Sequence, residues 1–230
     1  MLKFFYSLIL TTIFSCAGVS SKMLLPEKVS PDIYDVLLEN EDVKILKVSF
    51  PPGVGDNVHD HYPFSFYVLD GGKLQVTLPD GKVNEMEAGD GFSGHNEKGV
   101  RHKVKNIGEE AVNIILVEHK NLDSEKLFEV QKSLAPENVS PEIYRVLFEN
   151  DKIKAVEATF PAGKSDLMHE HGAYAAYIIK GGEVQMINPD GSSVERNFPD
   201  GATAFSSNVQ RHQVKNIGDS DIMVFMVEYK

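Results

Sequence analysis

The chain has one cysteine and no tryptophan among its 230 residues. A lone thiol cannot close a disulfide within the chain, so no covalent staple contributes to the fold. The apolar run Phe4 to Phe14, about eleven residues, is too short to span a bilayer, which takes roughly 20. Positive charge is scarce: 23 basic against 34 acidic residues leave −11, with no basic cluster, and this excludes nucleic acid as a partner. No phosphate-cradling glycine loop, Rossmann fingerprint or nucleophile with an adjacent base is found. Any chemistry must therefore come from a bound metal, as Lewis acid, activator of water or binder of oxygen. A hydrophobic content of 42% with 25% charged residues is otherwise ordinary for a globular protein.

The dominant positive feature is a duplication. Residues 26–120 align without gaps on 136–230 at an offset of 110, and 38 of the 95 pairs are identical. Two domains of this length, 26–120 and 136–230, are expected. Between them lies a linker, 121–135, in which Leu127, Val130 and Leu134 recur at helical spacing over Asp123 to Leu134.

Six of the eight histidines obey the offset: His59, His61 and His102 map onto His169, His171 and His212. Packing alone gives no reason to keep three histidines at the same places twice. In a strand, residues i and i+2 share a face, so His59 and His61 can aim into one interior while Asp60 faces away. His102 follows on a separate strand. Three neutral imidazoles with open positions for water or substrate suit a divalent first-row metal, Fe, Mn, Ni or Zn, up to two per chain. The competing reading is a set of structural histidines hydrogen-bonded inside a barrel.

Residues 1–17 read as a signal peptide, with Lys3, the apolar run and small residues at Ser15 to Ala17. Ile13-Phe14-Ser15-Cys16 resembles the bacterial lipobox, in which cleavage before Cys16 leaves it to carry lipid. The chain is thus expected to be exported to the periplasmic face of a membrane through a lipid anchor. Ordinary cleavage after Ala17, giving a soluble periplasmic or secreted protein, is the alternative.

Each half reads as short strands: 34–39, 43–50, 58–69, 73–78, 82–86, 91–95, 101–107 and 112–119 in the first. Ser30-Pro31 and Ser140-Pro141 look like a cap followed by a helical turn. The fold class is all-β, two tandem jelly-roll barrels joined by a short helix.

The motifs carry a resemblance. Gly53, five residues before His59-Asp60-His61, with Gly72 beyond, and Gly163, His169-Glu170-His171 and Gly182 resemble the first cupin motif. Gly91, Gly99, His102 and Asn106, with Gly201, His212 and Asn216, resemble the second; Glu97 stands where proline is usual, and Ser207 and Val209 replace its proline and glycine. The chain thus resembles a bicupin, whose fold is the double-stranded β-helix. Each half is also similar to the small single-domain cupins labelled as β-alanine degradation proteins. Where the family places its metal-binding glutamate the chain has Ser65 and Ala175, so the resemblance implies a three-histidine centre like that of thiol-dioxygenase cupins.

Glu118 and Glu228, on the last strand of each half, are candidate auxiliary carboxylates that ligate the metal or orient a ligating histidine. Arg101 and Arg211 are expected on the surface. Tyr67 and Tyr177 are placed on the histidine face, chiefly as core, and His95 as a pocket-lining residue. Gly172-Ala173 against Tyr62-Pro63 predicts a roomier second pocket. No catalytic residue is assigned. The expected function is an exported metal-binding bicupin, either an enzyme of the oxygenase or isomerase type on a small polar molecule, or a non-catalytic metal- or metabolite-binding lipoprotein. The sequence leaves self-association open.

Overall fold

A computed structural model describes residues 22–121 and 130–230. The expected signal peptide with Cys16 lies outside the described residues, as does most of the expected linker helix. The described end of that linker is a 3₁₀ turn at Lys132–Leu134. Among the described residues no helix is long and apolar enough to cross a membrane.

In the first half the strands are β1 (Tyr34–Glu39), β2 (Val43–Phe50), β3 (His59–His61), β4 (Phe64–Asp70), β5 (Gly72–Thr77), β6 (Val83–Ala88), β7 (Ser93–Asn96), β8 (Val100–Asn106) and β9 (Val112–His119). The second half repeats them as β10 (Tyr144–Glu149), β11 (Ile153–Phe160), β12 (His169–His171), β13 (Ala173–Lys180), β14 (Gly182–Ile187), β15 (Ser193–Phe198), β16 (Thr203–Ser206), β17 (Gln210–Asn216) and β18 (Ile222–Tyr229). All pairings are antiparallel, and the turns carry the expected residues. Gly81 and Gly191, both at φ 83°, close Pro-Asp-Gly hairpin turns in the left-handed region that glycine alone enters freely.

The strand expected over 58–69 is in fact two. Pro63 has no N–H for a ladder, and at Tyr62-Pro63 the chain leaves the four-stranded sheet β3-β8-β5-β6 for the five-stranded sheet β1-β2-β9-β4-β7. In the second half Gly172 marks the same crossing, between sheets β12-β17-β14-β15 and β10-β11-β18-β13-β16. Helical turns also lie one step earlier than expected, as α1 (Pro26–Val29) and α2 (Pro136–Val139), each opened by its proline. The N–H groups of Ile33 (3.0 Å) and Tyr34 (3.3 Å) donate to the Ser30 carbonyl, and those of Ile143 (3.0 Å) and Tyr144 (3.1 Å) to that of Ser140, so the two serines end these turns and open the expected ones. Their hydroxyls accept the N–H groups of Asn57 (2.9 Å) and Leu167 (2.8 Å), which ties down the chain just before each histidine strand.

Each pair of sheets encloses one apolar core, with Leu46, Val48, Phe50 and Leu116 in the first barrel and Val156, Phe160 and Ile222 in the second. The alternate residues of the same strands form a third cluster between the barrels: Ile45, Tyr67, Ile115 and Val117 meet Ala155, Ala175, Tyr177, Phe225 and Val227. β2 and β11 are therefore covered on both faces, which explains why their burial is nearly continuous along the strand and takes in Lys44 and Lys154. The packing is reciprocal, β1 against β16 and β10 against β7, so the duplication in sequence becomes an approximate twofold in space.

Candidate metal centre

β3 and β8 build the first site. In their ladder His59 lies opposite His102 and Asp60 opposite Arg101. Alternation then sends His59, His61 and His102 into the barrel, with ligand nitrogens within 4.8 Å of one another. Asp60 and Arg101 close outside as a bidentate pair, both bonds 2.6 Å, so the arginine holds strand register at the surface. β12 and β17 repeat the arrangement with His169 opposite His212 and Glu170 opposite Arg211.

The neighbours of each ring fix its tautomer. His59 Nδ1 lies 2.8 Å from the carbonyl of Asn57, which can only accept, so the proton sits on Nδ1 and Nε2 is bare. His61 Nδ1 donates to Glu118 Oε1 at 2.6 Å, which turns its Nε2 into the barrel. The Nε2 atoms of His59 and His61 face each other at 2.8 Å, a separation at which a proton or a metal ion must lie between the two lone pairs. His102 Nε2, buried beside them, has no hydrogen-bond partner. The second site matches: His169 Nδ1 to Leu167 O at 2.9 Å, His171 Nδ1 to Glu228 Oε1 at 2.5 Å, and the Nε2 atoms 2.8 Å apart. Burial, reinforced by neighbouring histidines, lowers the pKa of His59 and His212 to about 4 and of His102 and His169 to about 3, which keeps these rings neutral. Three convergent imidazole nitrogens fit a divalent first-row metal.

Glu118 and Glu228 are not solvated strand ends. Glu118 is fully buried and orients His61, a role more consistent with its 2.6 Å bond to Nδ1 than with ligation. Its second oxygen lies 3.3 Å from Lys44 Nζ, which also reaches Glu27. In the second barrel Lys154 bridges Glu228 (2.6 Å) and Glu137 (2.9 Å). Burial pushes the Glu228 pKa up, but the bond from His171 and the charge of Lys154 outweigh it and leave the pKa lowered.

A tyrosine completes each site. The Tyr34 hydroxyl donates to Asp56 Oδ2 at 2.6 Å and lies 3.2 Å from His59 Nε2; Tyr144, Asp166 and His169 do the same at 2.7 and 3.4 Å. Burial, then the Asp56 charge, raises the Tyr34 pKa well above its usual value, so the phenol keeps its proton. Asp56 and Asp166 also accept the N–H groups of Val104 and Val214, locking the histidine strand to its neighbour.

Tyr34, Lys44, Asp56 and Glu27 were not among the residues expected at the site. The signal was there, because all four recur at the 110 offset, as Tyr144, Lys154, Asp166 and Glu137.

Other expected residues fall elsewhere. Ser65, Ala175, Tyr67 and Tyr177 face the interface between the barrels; the side chains that turn toward the histidines are Phe64 and Tyr174, with ring centroids 5.2 Å from His61 and 5.5 Å from His171. No carboxylate therefore enters the site from that strand. Tyr67 donates to Glu157 of the other barrel at 2.6 Å. His95 and His119, the two histidines without a counterpart, also gather at the interface, where Ser65, His119 and Tyr229 form a chain with both links 2.9 Å long. His95 lines a pocket there, away from the triad. The two barrel cavities are of similar size, about 170 Å³ in the first and about 150 Å³ in the second. Phe198 replaces Ala88 and takes back the space that Ala176 releases by replacing Phe66.

Comparisons with known proteins place this architecture. No family model matches the chain, and no curated protein matches it. Among solved structures, oxalate decarboxylase from Bacillus subtilis at pH 4.6 superimposes with a TM-score of 0.58 and 16% identity, over 82% of this chain and 68% of that one. AerE from Microcystis aeruginosa gives a TM-score of 0.58 and 14% identity over 86% and 97%. A cupin domain from Bordetella pertussis is 26% identical over 38% of this chain and 92% of its own, with a TM-score of 0.36. The chain folds as a bicupin with two candidate metal sites.

Proposed function

We propose that the protein is a metal-binding bicupin in which each triad holds one divalent first-row ion and presents it to a small molecule inside the barrel. The observation that carries this reading is the convergence of three histidine nitrogens within 4.8 Å in each barrel, with the buried His102 Nε2 left without a hydrogen-bond partner. When bound, such an ion supplies Lewis acidity, water activation or oxygen binding. Glu118 keeps the proton of His61 on Nδ1, and Lys44 neutralises that carboxylate. An enzyme of the oxygenase or isomerase type is favoured over a passive binder by one feature, the phenol of Tyr34 held by Asp56 beside the histidines. From there it can share a hydrogen bond with a bound molecule.

Elemental analysis of the purified protein tests the reading. Up to two ions per chain are expected, with one lost in His59→Ala, one in His169→Ala and both in the double variant. Folded protein that takes up no metal would refute it. We further propose export with lipid on Cys16: the wild type should fractionate with membranes and Cys16→Ser should not. Soluble wild-type protein beginning at Gly18 would favour ordinary cleavage instead.

A further inference from the structure

Each triad opens at one end of its barrel cavity, so the rest of the cavity wall decides what can lie against the histidines. In the first barrel His61, His102 and Tyr34 supply the polar atoms, all at that end. Beyond them the wall is Phe50, Phe66, Leu74, Val76, Ile114 and Leu116. The second barrel keeps His171, His212 and Tyr144, adds the hydroxyls of Tyr174 and Thr203, and is otherwise apolar, including Phe160, Val184, Met186 and Val224. Among the described residues, no lysine, arginine, aspartate or glutamate lines either cavity.

We infer that the molecule taken by these sites is apolar apart from a single donor head group. The part of it held inside the cavity is about the size of a benzene ring or a chain of about six carbons, with the head at the triad and the body along the barrel. This rests on the metal reading for the head group and on the cavity alone for the body.

A sugar or an amino acid would bring several hydroxyl or ammonium groups to a wall that, beyond the triad and its tyrosine, offers no partner in the first barrel and only the hydroxyls of Tyr174 and Thr203 in the second. A buried polar group without a partner is penalised far more than a methylene, whereas each methylene buried here gains affinity. The size follows from the volume, because an apolar cavity of about 150 Å³ accepts a molecule of about the size of benzene. The exchange of Phe66 and Ala88 for Ala176 and Phe198 alters shape at nearly constant volume, so the two barrels should differ chiefly in the shape of ligand they prefer.

The test uses the full chain loaded with Co(II), whose visible spectrum reports a ligand entering the metal's open positions. Straight-chain carboxylates from acetate to decanoate serve as probes. Affinity should rise about fourfold per methylene up to about hexanoate and then fall. Amino- and hydroxy-substituted acids of equal length should bind at least tenfold more weakly. Leu74→Phe and Val184→Phe, each filling one cavity, should remove the chain-length dependence from one site while the Co(II) spectrum without ligand is retained. Affinity independent of chain length, or tighter binding of the substituted acids, would overturn the inference. Metal-free protein gives an arm that does not depend on cobalt. Xenon or benzene should enter both cavities, detected by xenon NMR shifts and by side-chain methyl shifts. Failure of cobalt uptake with xenon binding intact would count against the metal reading alone; exclusion of xenon and benzene from folded protein would overturn the apolar cavity itself.

Discussion

In the first barrel Tyr62 stands where the second has Gly172, and the difference reaches the ion pair behind the histidines. The Tyr62 ring lies over Lys44 Nζ, 5.9 Å from the ring centroid, and Lys44 and Glu118 are 0% exposed. At Gly172 that cover is missing. A surface pocket of about 490 Å³ bordered by Gly172 reaches Lys154 and Glu228, which are 8% and 5% exposed. The triads nonetheless agree, with 2.8 Å between the facing Nε2 atoms in both. Site geometry is thus set by strand pairing and by the groups that hold each Nδ1, which both halves keep. Access of water to the supporting charges is set by one residue outside the site, which they do not share.

The largest expected effect exploits that difference. Lys44→Met strips a fully enclosed carboxylate of its cation and should cost about 3–5 kcal/mol, read by urea unfolding. Lys154→Met should cost clearly less, because water can reach Glu228 past Gly172. Tyr62→Gly in the Lys44→Met background should bring the first barrel toward the second. Equal costs in the two barrels would show that Tyr62 is not the cover.

Acid should act on both barrels alike. An unfolded histidine titrates near 6.5, whereas four of the six triad histidines have folded values of about 3 to 4. Between these values the unfolded chain binds more protons than the folded one. Metal-free protein should therefore hold its full histidine contribution above about pH 6.5 and lose it progressively as the pH falls toward 4. A Tm of the metal-free protein that stays flat from pH 7 to pH 4 would contradict the buried, neutral triads.

The smallest effect lies at the interface, where the halves have diverged. Ser65→Ala gives the first barrel the residue that the second carries at Ala175 and removes the 2.9 Å bond to His119. Because His119 keeps its link to Tyr229, a loss of about 1 kcal/mol is expected in the same unfolding assay. A loss no larger than that of a surface substitution would mean that the Ser65–His119 bond contributes nothing net.

The residues expected on the wrong face share one cause. Counting by twos from His61 puts Ser65 and Tyr67 on the histidine side, yet β4 turns Phe64 and Phe66 inward. The pleat is interrupted where the chain changes sheets at Tyr62-Pro63, so alternation restarts one residue out of phase. The same slip misplaces Ala175 and Tyr177 after Gly172. Within an unbroken strand the counting holds, as it does for His59 with His61 and for Asp60 opposite Arg101.

The sequence by itself determined the duplication, the all-β class and the histidines that share a face, because a strand's two-residue period is a property of the local backbone. Tertiary structure alone decided that Glu118 orients His61 from 57 residues away, that Tyr34 and Asp56 complete the site, and that the unmatched histidines meet between the barrels. Those contacts depend on sheet order and on how one barrel packs against the other, which no local period encodes.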